Sequence, residues 1–384
     1  MARAAVKRAG RAGRVPARAP SRRRRIAARV HSGKWRRWNR SPIKVKRSPN
    51  VKLKKRMEHD WLRRAYDAGA HSLSAQAESV KEDTPESDFT EAIRKAANED
   101  WYRWYSAVGG VPRSVYPAAS AKFVEGYAKR SGKYLGHLLT IPTVRTVAAI
   151  VTVMNEKGTI AGVIQQLERL PLHELIFVVN GSTDDSFEII RNQSRAAILH
   201  YPHPLGHDVG RAIGAKFAES ELLLFLDGDF AIPAENLIPF IQAIEQGMDI
   251  ALNNIDPYIG LFHRRDSVTR AKEFLNRSLQ RADLGSNSLT AVPHMMTKLA
   301  AERIGYSNLA VPPKAQAVAV EQRMKIGAPA SIDVISANRL RDLNVGNGNK
   351  TARMIIGDHI EAIQLALKAR GSRLTFPDGI RKRL

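Results

Sequence analysis

Asp227 and Asp229 stand one residue apart, directly after the apolar run 222–226, with Gly228 between them. Two carboxylates at that spacing suit a hard divalent cation, which fills its remaining positions with a diphosphate and water. The glycine lets the backbone come close. A plain Asp-Gly-Asp turn is the structural alternative, but Phe230, Ile232 and Pro233 lead into a new element instead of returning as a hairpin. Three more polar clusters precede this pair: Asn155-Glu156, Asn180-Gly181-Ser182-Thr183-Asp184, and Gly206-His207-Asp208-Val209-Gly210-Arg211. A guanidinium at Arg211 can meet diphosphate oxygens through two bonds at once. The Asn180 amide can both donate to and accept from a base edge. Asp184 and Asp208 can serve a ligand or simply cap the helices they precede.

The elements that must carry these clusters alternate. Short β-branched or apolar runs over 147–154, 175–179, 196–201, 222–226 and 249–253 read as strands. The stretches 159–170, 184–192, 208–218 and 234–246 read as helices. Such β-α alternation with short links specifies an α/β fold, a doubly wound and mostly parallel sheet with helices on both faces. Ligands of such sheets bind beyond the carboxyl ends of the strands, where all four polar clusters fall.

Taken as an ordered set, residues 151–229 resemble the donor half of glycosyltransferase family 2, on Asn155-Glu156, Asn180-Gly181-Ser182-Thr183-Asp184, Arg211 and the Asp-x-Asp pair. The resemblance implies the GT-A fold and transfer of a sugar from a nucleotide-diphosphate donor, first a UDP-sugar, with Mn or Mg at Asp227 and Asp229. It also implies that Val151, Thr152, Asn155 and Glu156 line the nucleoside pocket, with Asn180 and Asp184 nearby and Asp227 reaching both donor and metal. The chain departs from the family where Asp-Asp often precedes Gly-Ser: here Val179-Asn180 stands instead, so the base is less closely specified. The Gln-x-x-Arg-Trp element of processive polymer synthases is absent, which points to single transfers. A nucleotidyltransferase also uses paired carboxylates, but it calls for a Gly-rich basic loop where this chain has Asn155-Glu156-Lys157-Gly158.

An acceptor wall and a base must come from the C-terminal third. By the same resemblance, Asp358 corresponds to the base of inverting transfer and His359 to a third metal ligand found in some retaining members. His294, in Val292-Pro293-His294-Met295-Met296, joins them as a candidate for that wall, and Gly357 is expected to allow close backbone approach. The polar, glycine-interrupted run from Asn338 to Lys350, with Arg339 and Arg341, reads as a lid or a connector.

Charge and composition set the frame. The 384 residues carry 61 Lys plus Arg against 37 Asp plus Glu, yet residues 1–56 hold 22 of the bases and no acid. That segment reads as a disordered basic tail whose contacts are an anionic polymer, nucleic acid or a membrane surface, with Trp35 and Trp38 set among cations. Residues 57–140 read as a helical accessory region whose Trp61, Trp101, Tyr102, Trp104 and Tyr105 are core in the first instance and sugar-stacking in the second. Residues 146–255 then form the nucleotide-sugar half and 256–384 the acceptor half of one catalytic domain. The chain lacks cysteine, so a metal must be held by oxygen or imidazole. The run 135–154 is broken by His137, Pro142 and Arg145, so no transmembrane segment is expected, and the expected location is the cytoplasm, including an anionic surface there. A different reading makes the protein a binder of anionic polymers with an inactive scaffold.

Overall fold

The computed structural model describes residues 49–72, 86–336, 350–374 and 376. Most of the expected tail and most of the run 338–350 lie outside these residues. Residues 49–56, expected as tail, instead open helix α1 (Pro49–His71).

Helices α2 (Glu86–Ala107) and α3 (Tyr116–Ser131) follow, then β1 (Val147–Val153), α4 (Ile160–Leu167), β2 (Glu174–Asn180), α5 (Ser186–Gln193), β3 (Ala197–Tyr201), α6 (Val209–Phe217) and β4 (Leu222–Asp227). The second half holds α7 (Ile238–Glu245), β5 (Ile250–Asn253), α8 (Ser267–Ser278), β6 (His294–Thr297), α9 (Lys298–Ile304), α10 (Pro312–Glu321), β7 (Ile326–Ala330) and α11 (Lys350–Arg370). The seven strands form one sheet in the order β3-β2-β1-β4-β6-β5-β7. Only β6 runs antiparallel, to β4 on one side and β5 on the other. The α/β class and the mostly parallel sheet with helices on both faces expected from the sequence are therefore present.

Burial on both faces explains why the central strands read as unbroken apolar runs. Along β1, Val147, Ala149, Val151 and Val153 join one core, shared with α3, α4 and α7. Ala148 and Ile150 join the other, shared with α6, α8, α9, α10 and α11. In α4, Ile160, Val163, Ile164 and Leu167 are buried at helical spacing.

The helical region does not form a core of its own. Trp101, Phe123 and Tyr127 are fully buried in the same cluster as Val147 and Phe177 of the sheet. Trp101 meets Tyr116 edge-on at 5.3 Å between ring centroids and donates its indole N–H to the Tyr116 hydroxyl at 3.0 Å. That cluster is core, and no sugar-stacking platform remains at Trp101.

Two strands escape sequence reading. β6 is four residues long and lacks β-branching except at Thr297. β7, Ile-Gly-Ala-Pro-Ala, carries a proline that only an edge strand accommodates, and it pairs with β5 alone.

Candidate active site

The parallel pairing of β1 with β4 sets Thr152 opposite Asp227 in register. Side chains of paired residues leave the sheet on one face, and the Thr152 hydroxyl donates to Asp227 Oδ1 at 2.6 Å. Gly228 then turns the chain tightly against β1, donating its N–H to the Thr152 carbonyl at 2.9 Å. A Cβ at Gly228 would sit 3.2 Å from both Ile160 Cδ1 and Val153 Cγ2, so a larger residue would lever the two aspartates outward.

Arg211 reaches the same point from α6. That helix lies close on β1 because Gly214 faces Ile150, where a Cβ would come within 2.4 Å of Ile150 Cγ2. The Arg211 guanidinium is 5% exposed, donates to the Leu289 carbonyl at 3.2 Å, and pairs with Asp208 Oδ1 at 2.9 Å and Asp227 Oδ1 at 3.4 Å. Burial alone would lower its pKa, but the Asp208 and Asp227 carboxylates more than offset that and raise it. Burial likewise acts to raise the Asp227 carboxyl, yet Arg211 and the Thr152 hydroxyl hold it below its ordinary range. Arg211, expected to meet diphosphate oxygens, is held here by Asp208 and the Leu289 carbonyl beside Asp227, where it neutralises and orients that carboxylate.

The loops after β1 and β2 lock together. Asn155 takes a left-handed backbone, φ 60°, and its Oδ1 accepts from the Thr183 N–H at 2.8 Å while its own N–H donates to Ser182 Oγ at 3.1 Å. The Glu156 N–H donates to Ser186 Oγ at 2.8 Å, and the Glu156 side chain is buried. Asp184 accepts from the Lys157 N–H and the Ser186 N–H, each at 3.1 Å. Burial works to raise the Asp184 carboxyl, but bonds from Ser186 and Lys157 bring it below its ordinary value. These bonds join the Asn155-Glu156 loop to the loop that carries Asp184.

Two nucleoside-pocket residues require correction. Val151 is fully buried and packs in the core with Phe177 and Leu226, so its side chain cannot line a pocket. Asn180 donates to the Gly206 carbonyl and accepts from the Leu205 N–H, both at 2.8 Å. Its amide holds the loop after β3 instead of being free for a base edge.

Several comparisons bear on this arrangement. The model for glycosyl transferase family 2 matches residues 148–300, from the start of β1 into α9. The match covers 153 of the 384 residues. The chain is similar to an uncharacterized glycosyltransferase of Bacillus subtilis, YkcC, with 28% identity over 110 residues, 26% of this chain and 34% of that protein. An undecaprenyl-phosphate 4-deoxy-4-formamido-L-arabinose transferase of Klebsiella pneumoniae is 23% identical over 158 residues, 38% of this chain and 46% of its own. The chain therefore spans between a third and a half of the length of these curated relatives. Among solved structures, glucosyl-3-phosphoglycerate synthase of Mycobacterium tuberculosis, in complex with Mn2+, UDP and phosphoglyceric acid, aligns at 18% identity and a TM-score of 0.42, over 61% of this chain and 80% of that one.

Beyond residue 300, α11 packs against α8 and α10 and brings Asp358 toward the loop after β3. Burial pushes the Asp358 carboxyl up, Asp208 and Glu361 push it further, and His207 opposes them weakly. His359 is 1% exposed, and its Nδ1 is bonded to the Ile355 carbonyl at 2.6 Å, one helical turn back. Burial pushes its pKa down to about 4, and nearby Lys272 acts in the same direction. Among the described residues no group of three or more His, Asp or Glu side chains is arranged to hold a metal.

His294 is no acceptor wall either. It is buried, stacks on Phe225 at 4.8 Å, and lines a small internal cavity with Arg211, Leu289 and Pro312. Gly357 is exposed, and among the described residues no atom comes within 4 Å of its Cβ position, so none of them makes the expected close approach.

Sequence reasoning missed Lys272. It is half-buried on α8, and burial pushes its pKa down to about 8, with Arg211 adding to that and Asp266 and Asp208 opposing it. In the chain it is one lysine of an amphipathic helix, and nothing local marks it. Its environment exists only once α8 and α11 are packed.

Proposed function

We propose that the protein transfers a sugar from a nucleotide-diphosphate donor to an acceptor hydroxyl in single, non-processive steps. The observation that carries this reading is the Asp227-Gly228-Asp229 turn, its first carboxylate fixed by Thr152 and Arg211 within the stretch that matches glycosyl transferase family 2. The family resemblance makes a UDP-sugar the first donor to test.

The two carboxylates fit Mn or Mg held jointly with the donor, because such ions are commonly bound by one or two protein carboxylates with the rest of their shell taken by phosphates and water. When bound there, the metal would offset charge building on the leaving diphosphate. The chain's own residues do the remainder. Arg211 keeps Asp227 ionised and aimed, since its guanidinium is held by Asp208 and the Leu289 carbonyl. Asn155, Glu156 and Asp184 hold the wall on which the nucleoside rests.

During transfer the bond from the anomeric carbon to the diphosphate oxygen breaks and a bond to the acceptor oxygen forms. The acceptor proton passes to a base, which we assign to Asp358. Its carboxyl is raised by burial and by Asp208, the direction that suits a base working near neutrality. A screen of nucleotide sugars for hydrolysis with Mn or Mg, without acceptor, tests the reading. Release of a nucleoside diphosphate from one donor is expected, and no metal-dependent release from any would count against it.

A further inference from the structure

The segment after β5 carries a surface that the sugar-transfer chemistry does not use. Leu261 and Phe262 lie in and beside a single 3-10 turn, Phe262–Arg264, and are 68% and 61% exposed. Tyr258 precedes them at 38%, and Phe274, on the helix that follows, is 47% exposed and stacked on the equally open Phe376 at 6.2 Å. Cations frame this apolar surface. The Arg265 and Arg270 guanidinium carbons stand 6.0 and 5.7 Å from the Phe262 ring centroid. Arg265 is paired with Glu273 at 2.6 Å, but Arg264 and Arg270 have no ion-pair partner among the described residues.

Topology fixes where this surface faces. β5 is antiparallel to β6, and β6 is antiparallel to β4, so β5 runs parallel to β4. The carboxyl end of β5, at Asn253, therefore lies on the same edge of the sheet as Asp227. The exposed turn leaves from the edge at which the donor site opens.

We propose that the Tyr258–Phe274 surface seats the protein on an anionic phospholipid bilayer, with Leu261 and Phe262 among the acyl chains and Arg264 and Arg270 at the phosphates. Exposed apolar side chains with guanidinium groups beside them match the boundary between hydrocarbon and headgroup. Unpaired arginines add attraction to an anionic leaflet. The inference stands apart from the sugar-transfer reading, since lipid binding requires no donor.

The chain lacks cysteine, so one introduced thiol reports on one place. His263 is exposed beside Phe262. The full-length His263→Cys protein, labelled with an environment-sensitive fluorophore, is mixed with phosphatidylcholine vesicles with and without phosphatidylglycerol. A label at Tyr134→Cys, 81% exposed on the helical region, serves as the reference. Emission from position 263 is expected to shift blue on anionic vesicles only, while the Tyr134 label stays unchanged. Adding Leu261→Asp and Phe262→Asp should abolish that shift, and Arg264→Glu with Arg270→Glu should weaken vesicle binding at least tenfold, with the thermal transition unaltered. The basic tail alone could hold the protein on the vesicle, and then the 263 label would stay unshifted on bound protein, which would overturn the proposal. An equal shift on neutral vesicles, or a shift produced by raising protein concentration without lipid, would overturn it as well.

Discussion

Replacing Arg211 with methionine removes the cation that stands between the buried Asp208 and the part-buried Asp227. Asp208 lies 2.9 Å from the guanidinium and Asp227 3.4 Å, and Arg211 and Asp208 are each only 5% exposed. Methionine keeps most of the apolar packing, so the loss is mainly electrostatic. Removing one partner of a buried ion pair costs about 3–5 kcal/mol, because the remaining charge is left uncompensated. At roughly 2 cal/mol/K of unfolding entropy per residue over a unit of some 330 residues, a 4 kcal/mol loss lowers the midpoint by about 6 °C. The pH dependence has a definite sign. In the native protein the Asp227 carboxyl is held below its ordinary pKa, so its contribution is present above about pH 4 and is lost as pH falls through the folded value. In Arg211→Met that carboxyl is raised, so the variant's deficit should be largest near pH 7 and shrink below about pH 5 as the carboxylates take up protons. Urea unfolding followed by circular dichroism at several pH values measures the deficit. Adding Asp208→Asn to Arg211→Met should recover part of it. A deficit below about 1 kcal/mol, or one that does not change with pH, would refute the argument that Arg211 works chiefly by neutralising Asp208 and Asp227.

Three further outcomes follow from single contacts. Gly214→Ala puts a methyl where Ile150 Cγ2 is 2.4 Å away, so it should cost about 1–3 kcal/mol in chemical unfolding and reduce donor binding, because α6 carries Arg211; unchanged stability would contradict the packing described. Burial holds His294 at about pH 3, so the native state resists its protonation: stability should fall as pH drops from about 6.5 toward 3, and His294→Phe should flatten that slope, which an acid titration followed by circular dichroism would reveal. Asp358→Asn should reduce transfer by roughly 10²–10⁴-fold while donor affinity, measured by calorimetry, stays within about twofold; a parallel loss of affinity would assign Asp358 to donor binding instead.

Much of the sheet was readable because strands buried on both faces keep unbroken apolar runs, as in 147–153 and 222–226, and because Gly and Asp residues end them. The donor-side loops followed from their place after those strands. Roles within the loops were harder to read. The side chains of Asn180, Arg211 and Val151 are engaged within the protein. Asn180 is spent on Leu205 and Gly206, and Arg211 on Asp208 and Asp227. The Asp208–Arg211 spacing of three residues was a legible hint of a pair on one helical turn. The second half gave less, because β6 and β7 are short and held by long-range pairing. His359 and Lys272 acquire their environments only when α11 meets α8, which no local spacing encodes.

The central claim is that Asp227 and Asp229 hold a metal together with a nucleotide diphosphate, and titration calorimetry of UDP tests it most directly. Measured on the native protein and on Asp229→Asn, with Mn2+ and with chelator, UDP should bind the native protein at least tenfold more tightly when Mn2+ is present. In Asp229→Asn the metal should add nothing, with the thermal transition preserved. Equal metal enhancement in both proteins would contradict the assignment of this pair.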